Sequence, residues 1–210
     1  MDKVAELDKL KLKMAEDKSL PLQTNLVFGE GDPNCQVLFI GEAPGFNEDK
    51  EKRPFVGRAG QLLRKCIRDL DWKEADVYIT NIVKRRPPEN RDPNEEEIEK
   101  YKPYLAQQID IIGPKIIVPL GRFSMNYFLP TAKITRDQGK LFQVGKYFIL
   151  PMLHPAAALR GTGVMDMFEE TFKKLPAVLA KITTGKFEET KLIETTTKKQ
   201  RFEDVQGKLF

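Results

Sequence analysis

A chain of 210 residues, 40% of them hydrophobic, can bury one α/β core but is short for two independent domains. The formal net charge of +4 permits a nucleic-acid partner without demanding one, and no run approaches the ~20 apolar residues of a membrane span. The N-terminus is charged throughout, unlike a signal peptide, so we expect a cytoplasmic protein with no membrane partner. The only cysteines, Cys35 and Cys66, and the only histidine, His154, exclude a disulfide framework and any thiolate or His-rich metal site.

The first part of the chain predicts a helix, an extended segment and a buried strand. Residues 1–20 form an amphipathic helix by their apolar spacing, at Val4, Leu7, Leu10 and Leu12, and residues 22–30 are extended. Residues 36–40 predict a buried strand that breaks into a Gly-Glu-Ala-Pro-Gly loop at 41–45. A helix should follow from Ala59, with one apolar face made by Leu62, Leu63, Cys66, Ile67 and Leu70.

The middle of the chain repeats the order of strand, loop and helix. Residues 77–83 are rich in β-forming side chains, and prolines make residues 84–93 a loop. Asn94, with Glu97 three residues later, resembles a helix N-cap and predicts a helix to about Ile112.

The last part of the chain adds a further strand, a hairpin and a helix. Residues 115–120 predict a buried strand, and Gly121 begins another strand-to-helix turn. A β-hairpin over residues 140–150 turns at Gly145, and a helix runs from about Val164 to Lys181.

Strands that alternate with helices predict a single α/β/α domain of three layers, with a central, mostly parallel, four-stranded sheet. We assign residues 1–182 to this domain and residues 183–210, rich in Thr, Lys and Glu, to a flexible tail. In such sheets the loops at the carboxyl ends of the strands do the chemistry, so the loops after Ile40, Val83, Leu120 and Leu153 should meet at one edge.

Five motifs in this order are similar to those of the family 4 uracil-DNA glycosylases, and the resemblance runs from about Leu22 to Phe172. They lie at residues 41–45, 48–49, 53–60, 80–84 and 154–160. The resemblance implies a uracil-containing DNA partner and an enzyme that extrudes uracil, cleaves its N-glycosidic bond and leaves an abasic site.

The resemblance assigns the uracil pocket to four residues. Phe55 supplies a stacking face, although the pattern alone favours a core phenylalanine. Asn81 binds the edge of uracil, because a primary amide can donate a hydrogen bond to O4 and accept one from N3–H. The structural alternative is an amide that caps a turn. Gly41 and Ala43 complete the uracil-binding set.

Three further residues carry the chemistry or exclude thymine in this resemblance. His154 donates a hydrogen bond to uracil O2 as negative charge accumulates there, although a lone histidine is more often structural. Glu42 holds the attacking water or stabilises the sugar cation. Glu48 fills the space beside uracil C5, where the methyl group of thymine would lie.

Two segments are expected to contact DNA. Leu159 is an apolar wedge for the gap left by the extruded base, and Arg160 follows it as a phosphate ligand. Lys84, Arg85, Arg86 and Arg91 form a basic loop that could track the backbone, although charged loops are usually only solvated.

The chain departs from family 4 at the four cysteines that ligate a [4Fe–4S] cluster there. Those positions are Asp17, Leu20, Arg85 and Tyr101, and we predict no cofactor, no metal and no cluster. An apolar contact of Leu20 with Tyr101 and a pairing of Arg85 with Asp17 are the expected replacements.

The remaining expectations concern reaction type and partners. A related branch captures the abasic sugar with a histidine in a Lys-Arg-Arg-Ile-His loop, but residues 84–88 read Lys-Arg-Arg-Pro-Pro, which indicates a monofunctional enzyme. The alternatives are a non-catalytic DNA-binding descendant and a glycosylase for another deaminated base such as hypoxanthine. We expect a monomer. Residues 206–210 resemble the Gln-x-x-Leu-Phe pentapeptide by which bacterial repair proteins bind the sliding clamp, and the alternative is a chance match of five residues.

Overall fold

The apolar runs that predict strands form the centre of one sheet in the computed structural model, which describes residues 2–185. Its six strands are β1 (Glu30–Gly31), β2 (Val37–Gly41), β3 (Tyr78–Asn81), β4 (Ile116–Pro119), β5 (Phe142–Val144) and β6 (Tyr147–Ile149). All residues of β2, β3 and β4 are buried, as expected for strands that are covered on both faces.

The strand order is β1-β3-β2-β4-β6-β5, and the four central strands are mutually parallel. The short strands β1 and β5 pair antiparallel at the two edges. The predicted four-stranded parallel core is therefore confirmed, but the count of four is wrong. A two-residue strand such as β1 carries no alternation to detect, and its pairing of Gly31 with Tyr78 is a tertiary contact.

Helices cover both faces of the sheet, as the alternating pattern predicts. They are α1 (Lys3–Glu16), α2 (Phe46–Glu51), α3 (Arg58–Arg68), α4 (Glu95–Ile112), α5 (Arg122–Phe128), α6 (Ile134–Asp137), α7 (Pro155–Ala158), α8 (Thr162–Lys173) and α9 (Leu175–Thr184). Two apolar clusters result, one between the sheet and α1 and α4, the other between the sheet and α3 and α8.

The local signals place several boundaries correctly. Asn94 and Glu97 form the predicted capping box, and Gly113 ends α4 in the left-handed conformation that glycine favours. Gly145 turns the hairpin, also with a positive φ. Helix α1 buries Leu7, Leu10 and Met14, but Val4 and Leu12 are exposed, so the predicted apolar face was shifted.

The predicted helix over residues 164–181 is in fact two helices, α8 and α9, separated at Lys174. Pro176, in the first turn of α9, has no N–H to continue the ladder of α8. Helix α9 reaches Thr184, so residues 183 and 184 are helical; the rest of the predicted tail, with the motif from Gln206 to Phe210, lies outside the described residues. Within residues 2–185, no helix is long and apolar enough to cross a membrane.

Candidate active site

The loops after β2, β3 and β4 meet at the carboxyl edge of the sheet and are joined by backbone hydrogen bonds. Ile82 N donates to Gly41 O over 2.9 Å, and Val83 N donates to Glu42 O over 3.0 Å. Gly121 N, after β4, donates to Met152 O over 2.8 Å, which brings in the segment before His154. The predicted convergence of the loops is therefore confirmed.

Gly41 packs Asn81 and Phe55 together. A Cβ on Gly41 would lie 2.3 Å from Asn81 Oδ1 and 2.6 Å from Phe55 Cζ, so only glycine allows this approach. The Asn81 side chain is 2% exposed. Among residues 2–185, no hydrogen bond joins its amide to another group. The amide atoms are not fully enclosed, since among the described residues the buried side-chain atom that lacks a partner is Gln138 Oε1. An amide that lies near an aromatic ring, has no protein partner and can still be reached from outside is suited to binding a planar polar ligand.

Phe55 is 6% exposed and belongs to the apolar cluster under α3 and α8, as the pattern alone favours, and its backbone is fixed as well. Its φ of +54° is rare for a non-glycine residue. Arg64, on α3, donates from Nε to Phe55 O over 2.9 Å, and a Cβ on Gly60 would lie 2.0 Å from that same carbonyl group. The start of α3 therefore fixes the position of the ring.

His154 packs against Phe55, with 5.9 Å between the ring centroids and an angle of 33° between the ring planes. It caps α7, where its Nδ1 accepts a hydrogen bond from Ala156 N over 3.1 Å. Burial lowers the pKa of His154 to about 4, against the opposing effect of Glu48. The ring is therefore neutral at pH 7, and its proton is on Nε2 because Nδ1 is an acceptor.

Glu48 is near enough to His154 to affect the pKa of that ring, and its carboxylate is anchored by backbone N–H groups. One carboxylate oxygen accepts hydrogen bonds from Val56 N over 2.9 Å and from Gly57 N over 2.7 Å. The other would lie 2.9 Å from a Cβ on Gly45. Glu48 thus fixes the loop that carries Phe55, in addition to any contact with a base.

Glu42 faces two charged residues that sequence reasoning missed, Asp92 and Arg122. Burial and the neighbouring Asp92 carboxylate, which hydrogen-bonds to it, raise the pKa of Glu42 to about 7, and Arg122 partly opposes this. Arg122 lies 3.6 Å from Asp92. Asp92 belongs to the proline-rich loop and Arg122 to the turn after Gly121, so the predicted convergence of these loops was the one signal that could have drawn attention to them.

The side chains of the predicted basic loop have different surroundings and do not form one exposed basic surface. Lys84 is fully buried, with its Nζ bound to Thr80 Oγ1 and Gln108 Oε1, and burial holds its pKa well below the usual range. Its assignment to DNA binding is therefore wrong, because the amine is enclosed between Thr80 of β3 and Gln108 of α4. Arg85 is half-buried and donates to Thr24 O, whereas Arg86 lies over the ring of Phe46.

Leu159 and Arg160 occupy positions that suit a contact with a large ligand. Leu159 is 40% exposed at the end of α7, and Arg160 is exposed immediately after it. Arg160 is near enough to His154 to lower the pKa of that ring. Ala43 is half-buried in the loop next to Glu42, where it packs against the α1–α4 cluster.

The four positions that correspond to cluster cysteines do not fit an iron–sulfur cluster, because none offers a thiolate. Leu20 and Tyr101 are buried in one apolar cluster, and Tyr101 OH donates to Pro21 O over 2.9 Å. The expected pairing of Arg85 with Asp17 is wrong, since Asp17 accepts a hydrogen bond from Tyr104 OH over 2.6 Å.

The two cysteines of the chain do not supply an alternative thiolate site. Cys35 and Cys66 are separately buried, and burial raises the pKa of each thiol. Within the described part of the chain, no group of three or more His, Cys, Asp or Glu side chains could hold a metal ion.

Comparison with known proteins agrees with this geometry. The family model of the uracil DNA glycosylase superfamily matches residues 28–176, which include every residue of the site described above. Several similar proteins are named Type-4 uracil-DNA glycosylase, among them the following three. The one from Sulfurisphaera tokodaii is 48% identical over 183 residues, which are 80% of this chain and 83% of the relative. The one from Saccharolobus solfataricus is 42% identical, covering 80% and 82%. The one from Archaeoglobus fulgidus is 39% identical, covering 76% and 84%.

Proposed function

The chain belongs to the uracil-DNA glycosylase superfamily and is a DNA glycosylase, and from that premise we propose that it hydrolyses the N-glycosidic bond of uracil in DNA without cutting the strand. The observation that carries this proposal is the close approach of the Asn81 amide and the Phe55 ring to the same glycine, Gly41, at the carboxyl edge of the sheet. A uracil stacked on Phe55 would accept one hydrogen bond at O4 and donate one from N3 to this amide. Cytosine presents the donor and the acceptor in the opposite order, so to pair with it the amide would have to turn over by about 180° within its close contact with Gly41.

His154 and Glu42 divide the chemistry. As the bond between C1′ and N1 breaks, the electron pair moves onto the base, and the Nε2–H of neutral His154 donates to uracil O2, where negative charge accumulates. Glu42, once ionised, stabilises positive charge on the sugar and accepts a proton from the water that bonds to C1′. The departing uracil anion takes up a proton from the solvent and protonated Glu42 releases one, so the products are free uracil and an abasic site.

We infer that the enzyme is monofunctional and folds without an iron–sulfur cluster. The residues supporting the first point are Lys84, whose amine is enclosed beneath β3, and Pro88, which occupies the histidine position of the covalent branch. The second rests on Leu20, Tyr101 and Asp17, whose packing and hydrogen bonds join the N-terminal segment to α4. We also propose an intracellular monomer that acts on genomic DNA, with residues 206–210 available to a sliding clamp.

Excision from a labelled oligonucleotide that carries one uracil tests the function. Alkali should cleave the strand only after treatment with wild-type enzyme, and Asn81→Ala and His154→Ala should each lower the single-turnover rate by roughly 100-fold or more. Asn34→Ala, an exposed asparagine on another loop, is the matched control and should react like wild type. A wild-type protein that binds this DNA but excises nothing would indicate a non-catalytic descendant. Excision of hypoxanthine in preference to uracil would indicate the other alternative.

A further inference from the structure

Phe46 is an aromatic side chain placed at the surface next to the active-site loop. The exposed large hydrophobic side chains of residues 2–185 are Val4, Leu12, Phe46, Leu159 and Met167, and Phe46 is the only aromatic residue among them, with 59% of its surface exposed. It directly follows the Gly41 to Gly45 loop and begins α2, the helix that carries Glu48. A single exposed apolar side chain is ordinary by itself, so its significance depends on what lies next to the ring.

The guanidinium of Arg86 lies over the ring of Phe46, with 5.2 Å between its carbon and the ring centroid. Arg86 is fixed at both ends, because its Nε donates to Asn90 Oδ1 over 2.6 Å and its carbonyl oxygen accepts from Thr24 Oγ1 over 3.1 Å. Asn90 itself has a φ of +54°, so the loop is held in a conformation that serves this contact.

The charge of Arg86 is not neutralised within the protein. No carboxylate of residues 2–185 forms an ion pair with it, in contrast to Arg53 and Arg91, which pair with Glu30 and Glu97. A fixed cation beside an exposed aromatic ring is the combination by which proteins bind single-stranded nucleic acid, since the ring stacks on a base and the guanidinium pairs with a phosphate.

We propose that Phe46 and Arg86 form a second DNA-binding surface, which binds an unpaired nucleotide next to the extruded uridine. The base stacks on the free side of the Phe46 ring, and Arg86 binds the adjoining phosphate. This surface deepens the proposed function and rests on it for the identity of the partner. It lies on a different loop from Leu159 and Arg160, so it adds an anchor that the wedge segment does not supply.

Binding to a uracil-free, single-stranded oligonucleotide, followed by fluorescence anisotropy, tests this surface without requiring excision. Phe46→Ala should raise the Kd by roughly 5-fold to 150-fold, the range expected for loss of one base stack. Phe46→Trp should bind as well as wild type or better. Val4→Ala, which shortens an exposed apolar side chain of α1, is the control and should leave the Kd unchanged.

The dependence of Kd on salt separates the two residues. Arg86→Gln should reduce the slope of log K against log salt by about 0.7, as expected for one lost phosphate contact on a single strand, whereas Phe46→Ala should leave the slope unchanged. A Kd for Phe46→Ala equal to that of Val4→Ala would overturn the proposal, and so would an unchanged slope in Arg86→Gln. If wild type fails to excise uracil but these differences in Kd hold, the surface stands and the proposed reaction falls.

Discussion

Glu42 is the residue whose ionisation should set the pH range of the enzyme. Burial and Asp92 raise its pKa to about 7, whereas His154, with a pKa of about 4, is already neutral above pH 5. If Glu42 must be ionised to act, the excision rate rises as pH increases through about 7, with a single inflection. The surroundings of the two side chains thus give them different roles near neutral pH: His154 is a neutral hydrogen-bond donor, and Glu42 becomes an ionised carboxylate as the pH rises.

Asp92→Asn should shift that inflection to lower pH. The substitution removes the negative charge that disfavours ionised Glu42, and Arg122 remains to favour it. The ratio of the single-turnover rate at pH 6 to that at pH 8 should therefore rise, by about twofold or more. Glu89→Gln, an exposed acid of the same loop, is the control. A ratio that is the same in both variants would mean that Asp92 does not influence Glu42.

A site residue could be predicted from the sequence only where it belongs to a motif whose other residues are also recognisable. Asn81, Phe55 and His154 come together because each lies where a strand ends or a loop returns, and the carboxyl ends of parallel strands share one edge. The burial of Lys84 was not predictable, because a lysine in a run of charges looks solvated unless the position of Gln108 is known.

At the scale of elements, the start of α3 determines whether the Phe55 ring is in place. Gly60→Ala would put a Cβ 2.0 Å from the Phe55 carbonyl group, which is backbone and cannot move away cheaply. We expect a loss of roughly 1–3 kcal/mol in the free energy of unfolding and a lower excision rate.

Gly163→Ala is the matched control for that substitution. It is also a helical glycine, in α8, and a Cβ there would meet nothing within 4 Å. It should stabilise the protein by about 0.5–1 kcal/mol. Urea denaturation measures both variants, and equal effects of the two would contradict the close packing of Gly60 against Phe55.

Helices and strands were predicted correctly where the sequence signal depends on neighbouring residues alone. The capping box of α4 and the buried runs of β2 and β4 depend on neighbouring residues only, and all were predicted. Strand β1 and the exposure of Leu12 depend on which surfaces meet, and both were missed. The break between α8 and α9 was not predicted, although Pro176 indicates it, because proline favours the first turn of a new helix.

At the scale of the whole molecule, Tyr101 and Tyr104 of α4 hold the N-terminal segment by hydrogen bonds to Pro21 O and Asp17. Tyr101→Phe removes the hydroxyl that donates to Pro21 O and should cost about 1–2 kcal/mol in the free energy of unfolding. Tyr147→Phe, whose hydroxyl contacts Asp110 at the surface, should change it by less than about 0.5 kcal/mol. Purified protein that contains stoichiometric iron and sulfide would contradict a fold without a cluster.

The most direct test of the account is to identify the products released from a single-stranded oligonucleotide that contains one uracil. Chromatography should detect free uracil equal in amount to the abasic sites, with the strand intact until alkali is added. Asn81→Ala should slow the appearance of both products by roughly 100-fold or more, and Asn34→Ala should not. Strand breakage without alkali would contradict a monofunctional enzyme. Equal uracil release by wild type and Asn81→Ala would contradict the assignment of the pocket.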